Sequence, residues 1–408
     1  MNIKKQLTVL LILTTMPVSM ALARPYAGLS GLAAAADSAI TAGTNPAGMS
    51  RFEGKAMHGE VLVFRSESEW EGQLGDGLQV ETEDSSTTVV PSGYLVKPLN
   101  EKYTFGFTVL GSGFSDDLGD WPGKYFIETY DSVNVSAFPS VAYKVNDKVS
   151  IAGSLQLTYS SYDQERRVAN FFDPDYGSGS ASLEADGFEL GFGASMLYQF
   201  SDQTRAGLTY LSELDPSLEG EVKFRGLGPN TEMVLDKAGF VGADVEVTSR
   251  QPQSVMAGVY HEFENDHAFT VDIVWSDFSR FKLSEFYFDG EALAENEAEY
   301  NDIYAISGSY SWPVKERWML GVAGMYVDDM VEDDNRTMTL RLDSLWSLGV
   351  AAQWQWKDDR SVKASFSYIG MGDAPVDTPS IPGIGSASGE YTSRDIFMFR
   401  IGVSFGDI

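Results

Sequence analysis

Segments of alternating hydrophobicity in this chain are joined by links of two lengths, and the two lengths strictly take turns. Short polar links fall at 100–102, 146–148, 201–204, 264–267, 315–317 and 357–360. Longer links lie at about 70–87, 115–124, 163–184, 213–243, 289–300, 328–342 and 372–391. Six short and seven long links delimit 14 strands. Strict alternation puts every short turn on one side of the sheet and every long loop on the other. A transmembrane antiparallel β-barrel, with short periplasmic turns and long outer loops, is built this way, and its strand number is even. The spacing of roughly 25 residues per strand and link leaves ample room for the 9–11 residues a tilted strand needs to cross a bilayer.

The strands themselves read with period two. In Trp346–Trp356 the even positions are Trp, Leu, Val, Ala, Trp and Trp, and the odd ones are small or polar. Phe397, Phe399, Ile401, Val403 and Phe405 repeat the pattern. So does Phe188–Phe200, where Leu197 is the one apolar residue on the polar side. Period two sends one set of side chains to each face of a sheet. Aromatic residues recur beside the short links: Tyr103, Tyr143, Phe200, the pairs Phe263/Phe269 and Trp312/Trp318, and Trp354 with Trp356. Aromatics at one level beside every short turn form an interfacial girdle; a soluble barrel or sandwich would hold them in its core.

Composition excludes several alternatives. The chain has 408 residues, 59 acidic against 29 basic, for a net charge of -30. That balance argues against nucleic acid as a partner, since phosphate backbones need basic patches. A hydrophobic fraction of 43% is too high for an acidic disordered chain. With no Cys there is no disulfide, no Cys-ligated metal and no thiol nucleophile. Three His (His58, His261, His267), no G-x-S-x-G and no EF-hand spacing leave no basis for an enzyme, a cofactor or a metal. The acidic stretches 289–302 and 328–334 read first as solvated loops.

Lys4 and Lys5, an apolar run over Leu7–Met16 and the small-x-small step Ala21-Leu22-Ala23 have the layout of a secretory signal peptide. The run is too short for a spanning helix, which needs about 20 residues. Leu29–Ala42 is Ala-rich and is expected to be a short helix, punctuated by Thr44-Asn45-Pro46-Ala47-Gly48. From the residues alone this segment could sit on the periplasmic rim or inside the lumen.

Three stretches carry a family resemblance. They are Tyr26-Ala27-Gly28 through Ala36-Asp37-Ser38-Ala39 to Asn45-Pro46-Ala47-Gly48-Met49-Ser50; Trp275-Ser276-Asp277-Phe278-Ser279-Arg280-Phe281; and Pro139-Ser140-Val141-Ala142-Tyr143-Lys144-Val145-Asn146-Asp147-Lys148. In that order the sequence resembles the FadL/TodX family of outer-membrane transporters for long-chain fatty acids and hydrocarbons. The resemblance implies an all-β fold: a 14-stranded barrel with a small N-terminal helical hatch in its lumen. The expected division is a signal peptide at 1–23, a hatch at 24–52 and the barrel at 53–408. Asn45, Pro46, Ala47 and Gly48 would form the hatch motif, and Trp275, Asp277, Phe278 and Arg280 a family-like strand motif. Only Arg24 and Pro25 precede Tyr26 after the expected cleavage, so a long N-terminal arm reaching a ligand pocket is not implied.

The family's substrates leave sideways into the membrane through a gap at a kink in the third strand. Here that strand contains Gly111, Gly113 and Phe114. Glycine inside a strand often marks a bulge or kink; Gly-Ser-Gly could equally end the strand. A fatty acid would also need a cationic partner, for which Arg65, Arg166, Arg167, Arg250 and Arg400 are candidates.

The expected function is passive uptake of hydrophobic small molecules across the outer membrane of a Gram-negative bacterium. The expected partners are outer-membrane lipid and lipopolysaccharide, periplasmic chaperones and the barrel-assembly machinery, for a monomer. A polar-solute porin and a structural or adhesive surface barrel are the alternatives.

Overall fold

The computed structural model describes residues 30–406 except 76, 120, 127, 216, 249, 281–284, 289–290, 295–299, 330, 334–335, 337–342 and 382–384. The signal-peptide and Tyr26-Ala27-Gly28 expectations therefore lie outside the described residues. In chain order the strands are β1 (Ala56–Leu74), β2 (Leu78–Pro98), β3 (Tyr103–Asp117), β4 (Thr129–Lys144), β5 (Val149–Ala169), β6 (Ser178–Gln199) and β7 (Thr204–Leu211). They continue with β8 (Ser217–Arg225), β9 (Asp244–Thr248), β10 (Ser254–Glu262), β11 (Ala268–Ser276), β12 (Glu285–Phe288) and β13 (Glu291–Ala294). The last are β14 (Ile303–Lys315), β15 (Trp318–Val327), β16 (Leu345–Lys357), β17 (Arg360–Met371), β18 (Ala374–Ile381) and β19 (Gly385–Phe405).

Fourteen of these strands close a ring: β1 to β7, then β10, β11, β14 to β17 and β19, which pairs back onto β1. Every pairing is antiparallel, and the first and last strands meet from Met57↔Phe405 upward. Closure removes the free edges that a lipid environment cannot satisfy. The remaining five, β8, β9, β12, β13 and β18, belong to the long connections.

The faces follow the sequence pattern. Phe188, Leu190 and Phe192 on β6 and Leu348 and Val350 on β16 are exposed, as an outward lipid-facing band requires. Beside the short turns the aromatics pair across strands. Trp318 stacks on Trp354 at 5.9 Å, and Tyr103 lies 5.1 Å from Tyr143.

Two expectations are corrected. First, much of what reads as long loop is strand. β1 and β2 run on well into the first long link, pairing as far as Leu74↔Leu78, and β5 and β6 pair out to Ala169↔Ser178. Beyond the membrane the outer face needs no apolar residues. Glu69 and Glu71 face Glu83 and Glu81 across a ladder held by backbone hydrogen bonds that hydropathy does not report. Second, the helix expected over Leu29–Ala42 is far shorter, and residues 30–40 are not helical. Helix α1 covers only Thr41–Thr44, and a 3-10 helix follows over Pro46–Arg51. Gly31 and Ala36 have positive φ (91° and 42°), and the backbone groups between them bond mostly to the barrel wall.

Candidate functional site

The segment Ser30–Phe52 lies inside the barrel, and the inner wall holds it chiefly by its backbone. An irregular chain inside a barrel has no ladder of its own, so its N–H and C=O groups must find partners in the wall. Asp272 points inward from β11. Its carboxylate accepts the N–H groups of Gly31, Leu32 (3.3 Å) and Ala33 (3.2 Å) and the hydroxyl of Ser30 (3.4 Å). Arg205, inward from β7, does the converse. Its Nε donates to the carbonyls of Ala34 (2.8 Å) and Ala35 (3.0 Å), and its guanidinium lies 3.7 Å over the ring of Tyr260. A carboxylate thus takes the donors and a guanidinium the acceptors of five consecutive residues, Gly31 to Ala35.

The Asn-Pro-Ala-Gly motif sits at the next turn. Asn45 leaves the helical region (φ -142°) and Pro46 opens the 3-10 helix. The Asn45 side-chain amide donates to the carbonyls of Ala33 (2.6 Å) and Met196 (3.1 Å), bridging two parts of the segment to β6. Ala47 N–H is shared between Asn45 Oδ1 (3.2 Å) and Ser195 Oγ (3.0 Å). Thr209 Oγ1 donates to Thr44 O at 3.0 Å. Gly48 has no room for a side chain: a Cβ would stand 2.4 Å from Thr41 Oγ1. The wall has matching dents. A Cβ on Gly207 would lie 1.7 Å from Ala33 O, and one on Gly106 2.3 Å from Met49 Sδ. On the periplasmic side a cavity of about 790 Å³ opens beneath Arg51 and Phe52, rimmed by Lys102, Lys144 and Lys148 of the short turns.

Above this segment the lumen holds an apolar, aromatic cluster. Trp70 meets Trp121 edge-on at 6.3 Å, Tyr130 meets Tyr162 at 5.4 Å, and Phe278 meets Tyr300 at 5.7 Å, all within one buried cluster. Of the five candidate arginines, four have a carboxylate nearby. Arg65 pairs with Glu67 (2.7 Å), Arg167 with Glu128 (2.8 Å) and Arg250 with Asp215 (2.8 Å), while Arg400 lies 3.7 Å from Glu60. Arg166 differs. It is buried on the inner face of β5 beside Tyr162, it has no carboxylate among the described residues, and its Nη1 lacks a hydrogen-bond partner.

The wall is not sealed everywhere. β2 pairs with β3 only from Pro98↔Thr104 to Ser92↔Leu110. Beyond that rung β2 stays with β1 as far as Leu78, and β3 stays with β4 as far as Asp117. The seam opens where Pro91, which has no N–H to give, comes beside Gly111, whose Cβ would stand 3.2 Å from Pro91 O. Gly111, Gly113 and Phe114 all lie on the unpaired side of this fork, in a β3–β4 ladder with no register shift; the Phe114 side chain is outside the described residues.

The strand motif forms a corner. Trp275 Nε1 donates to Asp302 (3.0 Å) and Asp277 accepts from the Gln253 amide (2.8 Å). Phe278 is fully buried in the apolar cluster, and Arg280 is exposed, 3.8 Å from both Glu213 and Asp277. His58, His261 and His267 have separate partners: Ser404 and Glu60, Thr204, and Tyr310.

Residues 18–397 match the family described as outer membrane protein transport protein (OMPP1/FadL/TodX). The chain belongs to this family. It is an outer-membrane β-barrel transport protein of the Gram-negative type. A long-chain fatty acid transport protein of Escherichia coli O6:H1 is 24% identical over 393 residues, covering 86% of this chain and 84% of that protein. Outer membrane protein P1 of Haemophilus influenzae is also 24% identical, over 401 residues, covering 85% and 83%. A Pseudomonas aeruginosa FadL homologue superposes with a TM-score of 0.82 at 16% identity, over 93% of this chain and 98% of that one. The toluene transporter TodX of P. putida gives 0.66 at 14% identity, over 90% and 94%.

In this FadL/TodX family member, sequence reasoning missed the residues that hold the N-terminal segment. Asp272 stands only three residues before the Trp275 motif, but an acid on the polar face of a barrel strand is unremarkable by pattern. Leu197 did give a signal. The one apolar residue on the polar side of its strand is buried against Ala36 and Ala47.

Proposed function

We propose that residues 24–52 act as a hatch closing the lumen to ordinary solutes, and that the protein takes up amphipathic hydrophobic molecules with a carboxylate head, the long-chain fatty acid class. The ligand collects in the aromatic chamber above the hatch, with Arg166 facing its carboxylate, and leaves sideways through the seam between β2 and β3. An alkyl chain loses about 0.8 kcal/mol per CH₂ on passing from an apolar site into water, so a route from chamber to bilayer that avoids water is favoured over a straight aqueous one. The observation that carries this reading is the opening of the β2–β3 ladder beyond Ser92↔Leu110, above a lumen filled by Ser30–Phe52.

The filled lumen speaks for uptake rather than for a polar-solute porin, and the separated histidines give no support to catalysis. The protein works as a monomer, delivered by periplasmic chaperones to the barrel-assembly machinery. A neutral hydrocarbon is the second substrate class, supported by the aromatic lining alone.

The absence of native Cys makes a direct test simple. Val90→Cys combined with Ser112→Cys places thiols on the two strands two residues beyond the last pair, Ser92↔Leu110. Oxidation of that variant is expected to abolish fatty-acid uptake and reduction to restore it. Full uptake with the disulfide formed would rule out lateral exit at this seam.

A further inference from the structure

On β1 and the adjoining β19 the inner face of the barrel changes character at the rung where the seam opens. Reading β1 toward the periplasm, the inward residues Phe64 and Leu62 give way to Glu60 and His58; on the neighbouring β19, Ile396 and Met398 give way to Arg400. Glu60 faces Ser92 across the β1–β2 ladder, and Ser92 faces Leu110 in the last β2–β3 pair. The apolar track therefore ends, and charge begins, level with the fork.

The charged groups are bound to one another. Tyr94 donates its hydroxyl to Glu60 Oε1 (3.1 Å), and His58 Nε2 meets Glu60 Oε2 at 3.3 Å. Arg400 Nη1 lies 3.7 Å from the same oxygen, and His58 Nδ1 meets Ser404 Oγ at 2.8 Å. All four residues are buried. Below them lies the hatch, where a Cβ on Gly43 would touch the Tyr94 ring at 3.2 Å. Stability does not call for such a cluster, because well-packed apolar replacements of buried ion pairs are often neutral or better. Ionisable groups at membrane depth mark transport pathways by default.

We infer that His58, Glu60, Tyr94 and Arg400 form a charged floor that stops an alkyl chain from descending onto the hatch and turns it into the β2–β3 seam. This rests on the lateral-exit reading above and adds the direction-setting element to it. The floor makes no covalent step and needs no cofactor: an apolar chain end gains nothing by leaving Leu62, Met398 and Leu110 for a cluster in which the Glu60 carboxylate is already held by Tyr94, His58 and Arg400.

The test uses the full-length protein in outer-membrane vesicles, labelled by light with hexadecanoate carrying a terminal diazirine. In the wild type the label is expected on peptides of the seam around Val90 and Leu110. In Glu60→Leu/Arg400→Met, which removes both charges together, label is expected to move to the hatch peptide 37–52. The ratio of hatch to seam label should rise about tenfold, equivalent to the partitioning of two methylene groups. Glu60→Gln/Arg400→Gln stays polar and should keep the wild-type pattern. Should the apolar pair not yield a heat-modifiable barrel, Leu62→Asn raises the floor by one residue pair and should move label away from Leu110 toward the chamber. A seam pattern unchanged in folded Glu60→Leu/Arg400→Met, or in Leu62→Asn where that pair does not fold, overturns the floor. No seam label in the wild type overturns lateral exit itself, so the two failures are distinguishable.

Discussion

The carboxylate of Asp272 and the backbone N–H of Ala33 lie 3.2 Å apart, tying the middle of a wall strand to the segment that fills the lumen. Because Gly31 and Leu32 donate to the same carboxylate, Asp272→Ala strands several buried N–H groups at once. Each such loss costs roughly 1–3 kcal/mol. The barrel, closed by its own ladder, should still assemble. We expect Asp272→Ala to raise small-ion conductance in planar bilayers while the heat-modifiable band on gels stays intact. Conductance at the wild-type level would show that the segment is held without this anchor.

Gly207 tests the fit from the wall's side. A side chain there would collide with the carbonyl of Ala33, whereas Gly93 and Gly153 have nothing near the position of a Cβ. Gly207→Val should expose the N-terminal segment to periplasm-side protease, and Gly93→Ala should behave as wild type. Equal protection of both variants would mean that the segment does not pack as described.

Arg166 offers a test between the two proposed substrate classes. Hydrogen bonds to charged groups contribute about 1.5–3 kcal/mol, so Arg166→Met should weaken half-saturation for hexadecanoate by on the order of tenfold or more. Hexadecane or toluene uptake should be unaffected. A parallel loss for both ligands would make Arg166 a structural residue of the chamber.

Asp173, in the outer connection between β5 and β6, offers a pH test. Its carboxylate accepts the N–H of Thr231 (2.8 Å) and the side-chain amide of Asn230 (2.7 Å), capping helix α2 (Pro229–Lys237) from a neighbouring loop. Burial acts to raise its pKa, but these hydrogen bonds prevail and hold it below the usual carboxylate value. A depressed folded-state pKa means that the cap is fully present above the ordinary carboxylate pKa and is lost as pH falls through the lower, folded value. Hydrogen exchange at Thr231, taken relative to its intrinsic rate at each pH, should therefore be slow at neutral pH and quicken only in acid below the ordinary carboxylate range. Asp173→Asn should quicken it at neutral pH. Protection that declines already near neutrality would contradict the assignment.

Much of the architecture was legible because the bilayer writes it into the sequence. Outward residues such as Phe188, Leu190, Leu348 and Val350 must be apolar, and Trp318 and Trp354 must lie at the interface. Where the lipid ends, so does that signal. The outer stretches of β1 and β2 carry Glu69, Glu71, Glu81 and Glu83, and read as loop although they are paired strand. Inside the lumen the code is weaker still. Asp272, Arg205 and Glu60 occupy ordinary polar positions of an alternating strand, and only the fold brings each to its partner. The Asn45-Pro46 turn was legible because its backbone conformation is local. The absence of helix over residues 30–40 was not, because distant wall residues override the propensity of Ala.

Asp272, Arg205, Thr209 and Ser195 all grip main-chain atoms of the lumenal segment, and Asn45 returns the grip to a main-chain carbonyl of the wall. The wall thus reads this segment by its shape rather than by its letters. Mutational tolerance should follow: many small-residue exchanges among Leu32–Ala35 would leave the seal intact, while single changes in the strands around it would not. The means of evolving a leakier or tighter barrier would then lie in the barrel.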